Sequence, residues 1–245
     1  MSVLATVAVL AGLVAPMLAK IGQSSRDAVC LGNLGAIVRA MTLYAAENQG
    51  LVPNAGFGVQ SGDNWCFGPF NQGRLPGQPP QMPDASGIAS GRLDQEPFRR
   101  LGQLWPYLRA ESVFYCPEDP LLLRPEEGLP LGRSFKLSSY NANAALSNLG
   151  LVPPPLRIDQ FLPGDFAFME PSEWDYFNFN DSTIMPDSIM TQRHGLHPLG
   201  SRQVVSLLRG GHVATMGGTV EWMSTTSYRE AVAAPRPNRG FCNRP

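Results

Sequence analysis

Lysine is nearly missing from this chain. It occurs at Lys20 and Lys136 only, and all charged residues together make up 16% of 245. Lys plus Arg number 19 against 20 Asp plus Glu, a formal charge of −1. Without a basic stripe, a nucleic-acid partner is not expected. Cysteine is also scarce, at four residues, and no Cys-x-x-Cys pair occurs, which argues against a zinc ribbon or a thioredoxin-type centre. Only three histidines are present, His194, His197 and His212. No Gly-rich phosphate loop follows a strand pattern, since Gly210-Gly211 falls between two strand-like runs. Glycine and proline, in contrast, are abundant at 25 and 23 residues. Spread without a repeat, they point to a loop-rich fold rather than a helical bundle or collagen. A hydrophobic content of 43% is enough to fill a core and rules out wholesale disorder.

The first nineteen residues, MSVLATVAVLAGLVAPMLA, carry no ionisable side chain. As a helix this run spans about 28 Å, close to the hydrocarbon thickness of a bilayer. A cleaved signal peptide would need a positive leading region and a small-x-small cleavage site, and neither is clear. A buried core helix would show a polar face. The run therefore reads as a membrane-anchoring helix that stays on the protein, with Pro16 tolerated because membrane helices accommodate proline. From Lys20 onward, Leu31, Leu34, Val38, Met41 and Ala45 recur at three- and four-residue steps, while Arg26, Asn33, Arg39, Thr42 and Glu47 take other positions. Gly50 and Pro53 mark the end. The expectation is one helix of nearly fifty residues, apolar all round over 1–20 and amphipathic over 21–50, leading into a globular α+β head over 51–245.

The opening VAPMLAKIGQSSRDAVCLGNLGAIVRAMTLYAAENQGLVP resembles the type IV pilin and pseudopilin superfamily. Its bacterial prepilin branch has a hydrophobic run ending in Pro, followed by a Cys-Leu-x-Asn-Leu stretch. LGQLWPYLRAESVFYCPEDP (101–120) resembles that branch's Pro-broken helix and Tyr-Cys-Pro turn. SYNANAAL (139–146) resembles its Ser-Tyr-x-x-Asn element, and GGHVATMGGTVEWM (210–223) its late β-hairpin. The resemblance implies a pilin-like α+β fold, with one long helix packed on a small antiparallel sheet between long Gly/Pro-rich loops. It implies a structural subunit of a type IV pilus or secretion-type pseudopilus, held in the inner membrane with its head in the periplasm and polymerising with other pilin-like subunits. Two features depart from the family. The basic leader ending in Gly, with its aromatic and Glu, is not seen. Alignment on Pro16 puts the cleavage point before Met1, which leaves an upstream start, a shortened chain or an unprocessed relative. The hairpin tip reads Gly217-Gly218 where the family has Asp-Gly, and His194 lies farther ahead of it than usual.

In the head, Trp65, Phe67 and Phe70 are expected to anchor the 51–97 stretch, which should hide short strands. Pro97 to Leu108 reads as a short helix whose end Pro106 makes irregular, and Pro153-Pro154-Pro155 as a stiff connector. Strands are expected at Asp165 to Met169, Gln203 to Leu208, His212 to Met216 and Thr219 to Met223. Arg209-Gly210-Gly211 and Met216-Gly217-Gly218-Thr219 are read as turns, and Thr225 to Ala234 as a final helix.

Export makes disulfides plausible. The preferred pairing is Cys66 with Cys242, leaving Cys30 to pair with Cys116 or to stay a small buried hydrophobe. No catalytic or cofactor-binding residue is expected, and the protein is not read as an enzyme. His194-x-x-His197 has metal-ligand chemistry but lies in a Gly/Pro loop without a carboxylate at helical spacing, so its imidazoles read as solvated or structural. The loop EWDYFNFNDSTIMPDS (173–188) offers Asp175, Asp181 and Asp187 as calcium ligands, although it matches no EF-hand and a plain solvated loop is the simpler reading. The small residues Ala5, Ala8, Gly12, Ala15 and Ala19, with Pro16 among them, suit close helix packing in a filament core. The alternative is a single-pass surface or periplasmic binding module that does not polymerise.

Overall fold

The computed structural model describes residues 2–56, 63–68, 96–119, 137–150, 156–172, 182–195 and 209–242, and over 2–24, 148–150 and 195 the backbone alone. One helix, α1 (Ser2–Glu47), opens the chain. At 1.5 Å per residue its 46 residues form a rod of about 69 Å. It closes through Gln49 and Gly50, both at positive φ, the left-handed exit that glycine takes without strain. Two single-turn helices follow, α2 (Glu96–Arg99) and α3 (Trp105–Leu108), then a 3-10 turn at Glu111–Phe114. Pro106 sits in the first turn of α3, where its missing N–H costs nothing, so it starts a helix rather than disrupting the end of one.

The sheet comprises β1 (Asn141–Asn143), β2 (Phe166–Met169), β3 (Thr183–Ile184), β4 (His194–Gly195), β5 (Arg209–Thr215) and β6 (Val220–Ser224). A closing helix, α4 (Thr225–Ala233), is capped by Ser224, whose hydroxyl accepts from the Ser227 amide. β1 pairs antiparallel with β2 and parallel with β3, so the sheet is mixed rather than purely antiparallel. β5 is its central strand. At Gly210 it pairs with His194 of β4 on one side and Ser224 of β6 on the other; at Val213 it pairs with Met169 of β2 and Glu221 of β6. β2 and β4 therefore run one after the other along the same edge of β5.

β5 corrects the expected turn at Arg209-Gly210-Gly211, which is regular strand. The glycines serve close approach instead of reversal. A Cβ on Gly210 would lie 1.9 Å from the Met223 carbonyl oxygen, and one on Gly211 2.4 Å from Thr191 Cγ2. The expected strand at Gln203 to Leu208 lies outside the described residues, as do Phe70, the triple proline, His197, Asp175, Asp181 and the aromatics of 174–179. The 63–68 stretch contains no strand, yet Trp65 and Phe67 are fully buried.

The sheet lies between two layers of different size. Leu34, Ile37, Val38 and Met41 of α1 pack with Trp65, Phe114, Tyr140, Phe168 and Ala214 in the main core. Phe166, Met169, Val213, Met223 and Tyr228 form a second cluster, which Ala231 and Val232 of α4 cover. Adjacent β5 residues Val213 and Ala214 serve opposite clusters, as the two-residue period of a strand requires. The α+β expectation thus holds in its layers.

Leu34, Val38, Met41 and Ala45 are buried, but Leu31 is 45% exposed. The 3.6-residue period puts Leu31 about 60° to one side of Leu34. Cys30 takes the place in the stripe, and Ile37 fills its other flank, both fully buried.

Candidate functional site

The sequence-predicted assembly residues Ala5, Ala8, Gly12, Ala15, Pro16 and Ala19 all lie on α1. Their side chains are not among those described, so the structure fixes only their place on a continuous helix. The segment Ser25–Glu47 is itself long and apolar enough to cross a bilayer. Its buried face lies on the sheet, however, so it belongs to the head. Asp187, the calcium candidate within the described residues, is exposed in the turn after β3.

What the fold brings together is a buried polar cluster where α1 meets the sheet. Cys30 of α1 is joined in a disulfide to Cys116, which follows the 3-10 turn, with Cα atoms 5.0 Å apart. Cys66 and Cys242, the preferred pair, are both buried as thiols, which corrects that expectation, whereas Cys30 takes the first of the two outcomes left open for it and pairs with Cys116. The physical reason is the stripe: Cys30 points into the core, and Cys116 is carried beneath α1 by the turn that Asn33 holds. The Asn33 amide donates to the carbonyls of Tyr115 (2.8 Å) and Ser112 (3.2 Å). Arg26 pairs with Glu118 at 2.5 Å.

His194 Nε2 lies 3.3 Å from the Cys116 Sγ and 3.0 Å from a Glu170 carboxylate oxygen, Oε1. Its Nδ1 lies 2.5 Å from Asp27 Oδ1 on α1. The second Glu170 oxygen accepts from the His212 amide (2.8 Å) and faces His212 Nδ1 at 3.2 Å. Arg193 reaches Glu170 at 3.5 Å and Asp119 at 3.9 Å, and donates to the Ser139 carbonyl. Topology explains the convergence. Glu170 follows β2, His194 opens β4, and these strands meet end to end on β5, which contributes His212. The bareness of Gly211 leaves room: a Cβ there would come within 3.2 Å of the Glu170 carboxylate.

Burial disfavours the charged forms of both Glu170 and His194, yet each is driven toward charge. Arg193 and His194, helped by hydrogen bonds from both imidazoles, hold the Glu170 carboxyl well below the usual carboxylate range. The Glu170 charge and hydrogen bond, with Asp27 on the other ring nitrogen, raise the His194 imidazole above its ordinary value. The arrangement is an imidazole set between two carboxylates beside a disulfide. Among the described residues Cys30, Cys116, Glu170 and His194 form a set of metal-capable side chains with converging donor atoms.

The sequence reading placed His194 in a loop and paired it with His197. It missed Glu170, Asp27 and His212 because nothing local links them. The one available signal was the burial-prone Phe-Ala-Phe-Met-Glu run, in which a carboxylate ends an all-apolar strand.

No family model, curated protein or solved structure matches this chain.

Proposed function

We propose that the chain is a pilin-like structural subunit. It is anchored in the inner membrane by the uncharged opening of α1, with its head in the periplasm, and it assembles by helix packing into a type IV pilus or secretion-type pseudopilus filament. The observation that supports this reading is the continuity of α1. A single helix carries the uncharged run at one end and, about 40 Å further along, a half that is tied to the head by a disulfide, an ion pair and side-chain hydrogen bonds. In the membrane the apolar half faces lipid. In the filament it exchanges lipid for neighbouring helices, and Ala5, Ala8, Gly12, Ala15 and Ala19 allow backbones to approach closely. Force along the filament then passes from the helix into the head through the ties at Arg26, Asp27, Cys30 and Asn33.

The test replaces Ala8 with Arg. A charge at the middle of a membrane helix costs about 2.5–3.5 kcal/mol on insertion, and it cannot pack in an apolar bundle. Electron microscopy with head-specific antibody should show native filaments decorated by the unaltered chain and not by Ala8→Arg. If the native chain stays as dispersed single copies at the cell surface, a binding module that does not polymerise is the correct reading.

A further inference from the structure

The cluster beneath α1 has a second chemistry. One donor atom from each of Cys30, Cys116, Glu170 and His194 lies within 4.8 Å of every other. With the disulfide open they offer two thiolates, an imidazole and a carboxylate, a set and number that suit four-coordinate zinc, whose ligand bonds are about 2.0–2.3 Å. Tetrahedral geometry then spaces neighbouring donors by roughly 3.3–3.8 Å. The imidazole already stands 3.3 Å from the Cys116 sulfur and 3.0 Å from the Glu170 oxygen, and the two bonded sulfurs must move apart. The surroundings are also built for an ion. His194 turns Nε2 toward the cluster while Nδ1 meets the Asp27 carboxylate, the outer partner that fixes the tautomer of a metal-bound histidine. The remaining Glu170 oxygen is held by His212. Thiolates favour zinc-class ions over calcium or magnesium.

We propose that Cys30, Cys116, Glu170 and His194 bind one zinc-class divalent ion whenever the two cysteines are thiols. The same cluster is then closed by a disulfide in an oxidising compartment and by a metal ion in a reducing one. Opening the disulfide takes two electrons and two protons from a dithiol reductant, which leaves as its own disulfide. The ion then displaces to solvent the two thiol protons together with any proton carried by His194 Nε2. Both sulfurs are fully buried, so the choice between closures is made before the head finishes folding or during local opening. Arg193 stays paired with Glu170 and Asp119 in either state, and the two thiolates with Glu170 and Asp27 outweigh the added metal charge. The proposal does not depend on filament assembly.

The full chain in detergent, oxidised or reduced with a phosphine, is given one equivalent of zinc, passed through gel filtration and assayed for metal. The expected result is one zinc per reduced chain and none per oxidised chain. Cobalt in place of zinc should give an intense thiolate charge-transfer band with the reduced chain. Asp27→Asn, at a side chain 39% exposed, should weaken zinc binding about 10–100-fold while keeping that band. Should reduction unfold the head, recovery of its circular dichroism on adding zinc supports the site. Failure to recover overturns it, as does zinc bound equally by the oxidised chain or by a Cys30→Ser/Cys116→Ser chain, or no zinc on the reduced chain.

Discussion

Glu170 is the residue on which the interior polar chemistry turns, because its two oxygens serve His194, His212 and Arg193 from strands that would otherwise meet around uncompensated charge. Truncating one member of a buried charged network leaves its partners desolvated and unpaired. Glu170→Ala in the oxidised protein should therefore lose about 3–5 kcal/mol in a urea melt; a loss under about 1 kcal/mol would mean that water or neighbouring groups already satisfy the histidines. A second residue-scale expectation concerns Cys66, whose thiol burial pushes up to about 12. At pH 8 the thiolate is roughly one part in ten thousand, so iodoacetamide should modify Cys66 in the unfolded chain and leave it intact in the native one. Of the buried cluster around Glu170, only the Cys30–Cys116 pairing was open to a reading of the sequence. Its members stand at 27, 30, 116, 170, 194 and 212, and only the folded order of β2, β4 and β5 makes them neighbours.

At the level of elements, legibility followed the strength of the local period. α1 was readable because a 3.6-residue stripe runs to a glycine and a proline, and the helix expected over Thr225 to Ala234 is α4, Thr225–Ala233. β5 was read over His212 to Thr215 but not at its opening, because Gly210-Gly211 has the composition of a turn while its real role is to let the Met223 backbone and the Glu170 side chain come close. Leu31 was misplaced for a related reason: three- and four-residue steps define a face only to within one flank, and tertiary contact decides which flank is covered. The correction can be measured. Leu34→Ala empties a fully buried site and should cost about 2–5 kcal/mol, whereas Leu31→Ala should stay within about 0.5 kcal/mol of the unaltered protein. Equal losses for the two would show that the stripe is centred elsewhere.

For the whole molecule, the question is whether the rod and the head are separable in stability while remaining joined in mechanics. Among the described α1 side chains, which begin at Ser25, Cys30 is the first in the core, and a group of polar and covalent ties from α1 to the head falls between Arg26 and Asn33. On the proposed filament reading, an anchor that leaves lipid for a filament without disturbing the head requires this division. If the head owed stability to the opening turns, every transfer between lipid and filament would perturb its fold. A chain lacking residues 2–20 should accordingly be soluble without detergent, elute as a monomer and melt within about 2 °C of the full chain in micelles. It should also fail to enter filaments while keeping the Cys30–Cys116 bond, which mass spectrometry under non-reducing conditions would register. A shortened head that aggregates or melts well below the full chain would place part of its core in the opening helix, and the transfer from lipid to filament would then have to reorganise the head as well.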